Sequence, residues 1–80
     1  MEMLFLISND QMRDARALLR WSVREFSEKS GVSTATIERL ENGRYEMGEA
    51  KINTMKSIIR TLEAGGIEFL PDGSVRRRQG

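Results

Sequence analysis

The tightest constraint on this chain is the corner at Gly31, which separates two short stretches that each begin at a serine and carry apolar residues at helical spacing. Ser22 followed by Glu25 reads as an N-terminal cap, so a helix is expected over about residues 23–30 with Phe26 turned inward. Gly31 lacks a β-carbon and can take the left-handed conformation that turns a chain sharply at a helix end. Val32 fills the corner and Ser33 caps a further helix over residues 33–42. That helix presents Ile37 and Leu40 to the core and leaves Thr34, Ala35, Glu38 and Arg39 outward to varying degrees. Asn42 and Gly43 end it with a strong turn signal. A helix, a tight turn and a helix within residues 26–43 imply a compact domain that buries two apolar faces and holds the second helix at its surface.

The flanking sequence completes this body. Ser8 and Gln11 form a capping box, which starts a helix at about Asn9; Met12, Ala15, Leu18 and Leu19 make its inward face, and Trp21 closes it as an apolar anchor. After a loop at 44–48, a helical region is expected over about 49–64, with Ile52, Met55, Ile58, Ile59 and Leu62 as its stripe and a break near Asn53 and Thr54. Gly65 and Gly66 stop it. The pattern then becomes extended: residues 67–70 and 75–78 flank Pro71, Asp72, Gly73 and Ser74, a hairpin turn. Residues 3–7 are apolar without alternation and read as an N-terminal strand or a covering segment. The whole is one domain over 1–80, with a helical core at about 9–64 and a hairpin appendage at 67–78. Because a lone hairpin is marginal in water, it is expected to pair with residues 3–7 or with a second copy.

Composition narrows the chemistry. With no cysteine and no histidine, the chain lacks thiolates, disulfides, the usual proton shuttle and the commonest nitrogen ligand for metals. No catalytic residue, metal site or cofactor is expected. No apolar run is long enough to span a membrane and the opening residues lack a signal-peptide pattern, so a cytoplasmic location is the expectation. Thirteen basic against 12 acidic residues give a net charge of +1, so attraction for a polyanion has to come from local placement of charge. At 80 residues the core is small, and a homodimer would supplement it.

Three runs carry a family resemblance: Arg16-Ala17-Leu18-Leu19-Arg20-Trp21-Ser22, then Phe26-Ser27-Glu28-Lys29-Ser30-Gly31-Val32-Ser33, then Thr36-Ile37-Glu38-Arg39-Leu40-Glu41-Asn42-Gly43. In this order they resemble the Xre family, the Cro/CI-type helix-turn-helix regulators, over about residues 11–62. The run from Leu62 to Phe69 is similar to very short members whose helical domain continues into an extended segment. The resemblance implies a mainly α fold, a compact four- or five-helix Cro/CI-like domain with short terminal β strands.

The resemblance also implies roles. Arg16 and Glu41 match an internal salt bridge between the first helix and the end of the recognition helix. Thr34, Ala35 and Arg39 match positions facing base edges; Ser22, Asn42 and Arg44 match positions on the DNA backbone, and Arg24 extends the same positive strip. Val23, Thr34 and Ala35 stand where the family often has glutamine or another long polar residue, so base reading rests mainly on Thr34 and Arg39, with a contribution from DNA shape. Arg76, Arg77 and Arg78 read equally as a phosphate-touching arm or a solubilising tail. The function implied is a sequence-specific transcriptional regulator that inserts helix 33–42 into the major groove of double-stranded DNA as a dimer. The alternative is a protein-interaction module on the same fold, an antiactivator or antitoxin-like partner.

Overall fold

The computed structural model describes residues 7–45 and 49–78. Among them lie four helices and a hairpin: α1 (Asn9–Leu19), α2 (Val23–Ser30), α3 (Thr34–Glu41), α4 (Ile52–Ala64), β1 (Ile67–Phe69) and β2 (Val75–Arg77). The fold is mainly helical with a short two-stranded sheet, consistent with the general Cro/CI-like architecture. Residues 3–6 of the expected N-terminal strand lie outside the described residues, while Ile7, just before α1, is buried.

Local chemistry sets the first three helix starts. Ser8 Oγ accepts from the Gln11 amide while Gln11 Oε1 accepts from the Ser8 amide, a complete capping box. Ser22 accepts from Glu25 N, and Ser33 from Thr36 N. The stops differ in kind. Gly31 ends α2 at φ 76°, the left-handed value expected of it. α1 ends one residue earlier than a closure by Trp21 would place it: Arg20 takes the left-handed conformation at φ 59°, and the Trp21 amide reaches back to the Arg16 carbonyl at 3.3 Å.

The core is built from Met12, Phe26, Ile37, Leu40, Ile58, Leu62 and Ile67, all fully buried. Leu19, Trp21, Val23, Tyr45, Ile59, Phe69 and Val75 pack around it. Two positions depart from the amphipathic reading. Leu18 is 41% exposed, and Ile52 is 52% exposed because it occupies the first turn of α4. That helix runs unbroken through Asn53 and Thr54, and it starts at Ile52, later than 49; its N-cap residue, Lys51, makes no side-chain capping bond.

Residues 76–78 are ordered against the body rather than a disordered tail. β2 pairs antiparallel with β1 in the register Ile67 to Arg77, Glu68 to Arg76 and Phe69 to Val75, and it packs against α1, while β1 packs against α4. The Arg78 amide donates to the Gly66 carbonyl, extending the pairing by one bond. Thus the hairpin is supported by the helical body, through Ile67; its expected pairing with residues 3–7 involves residues that lie largely outside the described ones.

Candidate nucleic-acid interface

α3 is held by both of its ends, and this fixes what it presents. At its start Ser33 caps Thr36 and also donates its hydroxyl to Thr36 Oγ1 at 2.9 Å. At its end Arg16 of α1 grips Glu41 with two parallel bonds, Nε to Oε2 at 2.5 Å and Nη2 to Oε1 at 2.7 Å, and its Nη1 donates to the Trp21 carbonyl at 2.7 Å. The two side chains are 19% and 12% exposed, so solvent screens this pair only partly. The Glu41 hydrogen bonds push the Arg16 guanidinium above its ordinary value, against the opposing effect of burial. One arginine therefore ties α1, the α1–α2 corner and the last turn of α3.

A second clamp carries no charge. Asn9, the first residue of α1, donates its side-chain amide to the carbonyls of Leu40, at 2.8 Å, and Tyr45, at 2.7 Å. It fixes the loop after α3 as well as the helix. Tyr45 in turn donates its hydroxyl to the Glu49 carbonyl at 2.8 Å, joining the two sides of the α3–α4 connection. The corner between α2 and α3 is wired likewise: Ser27 Oγ donates to the Val32 carbonyl at 2.6 Å, and the Val32 amide donates to Ser30 Oγ at 3.1 Å.

With Ile37 and Leu40 buried, Thr34, Ala35, Glu38 and Arg39 are exposed on α3. Helical spacing puts Arg39 one turn beyond Ala35, and Glu38 one turn beyond Thr34. Arg39 does not stand alone. Together with Thr36, Arg44, Tyr45, Lys51 and Thr54 it lines a cleft of about 350 Å³ between α3, the following loop and the start of α4. Three cations and three hydroxyls converge there, and among the described residues no carboxylate lines it. Two of its lining residues, Lys51 and Thr54, stand at the start of α4, whose N-cap residue Lys51 makes no side-chain capping bond. Such an arrangement suits a phosphate, which takes charge from the side chains and hydrogen bonds from hydroxyls and helix amides.

Of the residues singled out from sequence, Arg39 and Arg44 thus share one cleft. Ser22 is exposed at the N-cap of α2, where its oxygen accepts from Glu25 N and its own proton remains available to donate. Arg24 lies on α2, ion-paired with Glu28 at 3.4 Å, and does not line the cleft. Asn42 is the exposed C-cap residue of α3. Thr36, Tyr45, Lys51 and Thr54 were not anticipated. Thr36 had a local signal, being one turn from Arg39; Lys51 and Thr54 meet the cleft only through the path of the loop. Asn9 had no signal, since an amide bridging 31 and 36 residues leaves no periodic trace.

Residues 12–65 match the model of the family described as Helix-turn-helix. No curated protein matches the chain.

Proposed function

The chain belongs to the helix-turn-helix family, of the Xre or Cro/CI-like kind, and from this we propose that it is a sequence-specific transcriptional regulator that docks α3 in the major groove of double-stranded DNA. Family membership points to a DNA-binding regulatory role in general. The observation that carries the finer reading is the cleft of Arg39, Arg44 and Lys51: three cations converging, with no carboxylate among the described residues that line it, at the C-terminal end of an exposed helix whose position is fixed by Arg16 and Asn9. In this reading Arg44, Lys51 and the α4 amides hold a phosphate, and Ser22 and Arg24 hold others across the groove. Asn42 donates to the same strand. Thr34 and Ala35 meet base edges or a thymine methyl, and Arg39 reaches guanine or its phosphate. The small core and the two-fold symmetry of most regulators of this geometry favour a homodimer with recognition helices about 34 Å apart.

Titrating random-sequence duplex DNA at about 50 mM and about 200 mM salt tests the proposal. Binding that weakens steeply between the two, followed by enrichment of an inverted repeat among selected sequences, is the expected result. Absence of binding at micromolar protein in low salt would overturn it and favour a protein partner for the same surface.

A further inference from the structure

A second cleft lies apart from α3. It has a volume of about 470 Å³ and is lined by Trp21, Lys29, Arg60, Thr61, Ala64 and Gly65, none of which lines the α3 cleft. Trp21 is its aromatic wall and is fixed from two sides. The indole leans on the fully buried Phe26, with ring centroids 6.1 Å apart, and its benzo edge presses on Gly65, where an added Cβ would meet the ring at 2.7 Å. Any side chain at 65 would push into the indole, so this glycine preserves the wall.

Two cations face this wall. Lys29 Nζ lies over the ring at 5.2 Å from its centroid, and Arg60 stands one helical turn before Ala64. Both residues are exposed. Among the described residues neither has a carboxylate partner, and no carboxylate lines the cleft. Unneutralised cations beside a rigid aromatic surface suit one chemical class, a planar ring that carries an anionic group. The ring stacks on the indole; Lys29 exchanges a solvent-exposed cation–π contact for a stronger charge-assisted hydrogen bond; and the Arg60 fork takes a second anion oxygen. Thr61 adds a hydroxyl donor at the rim. The volume falls within the range of small-ligand pockets.

We propose that this cleft binds a small planar aromatic anion, of the size of a mononucleotide or a bicyclic aromatic carboxylate. Trp21 is the single tryptophan of the chain, so its indole N–H resonance reports on the cleft directly. The test titrates the protein with AMP and with 2-naphthoate, using adenosine and inorganic phosphate as probes that lack the charge or the ring. A saturable shift of the Trp21 indole with either aromatic anion is expected, with adenosine and phosphate at least about tenfold weaker. Response to AMP alone would identify a nucleotide site; response to both, a more general aromatic-anion site. The double substitution Lys29→Glu with Arg60→Glu, at exposed positions, should keep the amide spectrum of the fold and weaken binding by about tenfold or more. Arg44→Glu, in the other cleft, should leave the shift unchanged. No saturation with either anion up to about 10 mM, equal binding of adenosine, or indifference to the charge reversal would overturn the proposal.

Discussion

Arg16 uses its Nε, Nη1 and Nη2 atoms on acceptors from two different segments, so a change at this one side chain reaches the placement of α3 as a whole. Removing Glu41 as Glu41→Ala leaves a part-buried guanidinium without its counter-charge; the expected loss is about 2–3 kcal/mol in denaturant unfolding. Arg16→Lys keeps the charge but not the fork and should fall between wild type and that variant. Arg39 and Arg44 should separate by kind of effect. If DNA is the ligand, Arg44→Ala weakens all sequences alike and lowers the salt slope by about 1, whereas Arg39→Ala costs about 1–3 kcal/mol at one base position and relaxes preference there. Binding-site selection with each variant distinguishes the two. The Arg16 and Glu41 pair is legible only through family resemblance, because a separation of 25 residues carries no local signal. Outward positions such as Arg39 follow from periodicity, but a convergence across a loop, as at Lys51 and Thr54, does not.

Element boundaries were legible where a side chain marks them. Ser8, Ser22 and Ser33 each accept the amide three residues on, and the starts of α1, α2 and α3 follow. α4 has no such marker, and there the expected start at 49 slipped to Ile52. The two left-handed corners invite opposite substitutions. Gly31 at φ 76° has open space around an added Cβ, so Gly31→Ala should cost about 1–2 kcal/mol through backbone strain alone. Arg20 carries a side chain at φ 59°, and Arg20→Gly should stabilise by up to about 1 kcal/mol after the entropy of the unfolded glycine is subtracted. Thermal unfolding of the two variants checks both signs. The hairpin has its own pH dependence. Hydrogen bonding from Arg76 lowers the Glu68 carboxyl and hydrogen bonding from Ser74 lowers that of Asp72. Lowered folded values mean that their support is present above the ordinary carboxylate range, near about pH 4, and is lost as pH falls through the folded values. Hairpin amides followed by NMR on acidification should lose protection before those of α4, and less so in Glu68→Gln, where that part of the dependence is gone.

For the whole molecule, a net charge of +1 leaves almost no long-range field, so DNA affinity should rest on short-range phosphate contacts and register in its salt dependence. A monomer engaging three phosphates, at the α3 cleft, Ser22 and Arg24, would lose about fortyfold in affinity between about 50 and about 200 mM salt; a dimer engaging six, about two-thousandfold. The slope thus reads stoichiometry on DNA, and sedimentation equilibrium of the free protein supplies the independent measure. The packing of β2 on α1 bears on a different matter, the order in which the ribosome delivers the parts. α1 emerges early, yet the strand that covers it is synthesised after everything else in the helical body. A nascent chain halted before Val75 should therefore hold α1 only loosely, its amides exchanging fast, and tighten once β2 has come out. In the cell, that interval is when a chaperone or a protease would find α1 within reach.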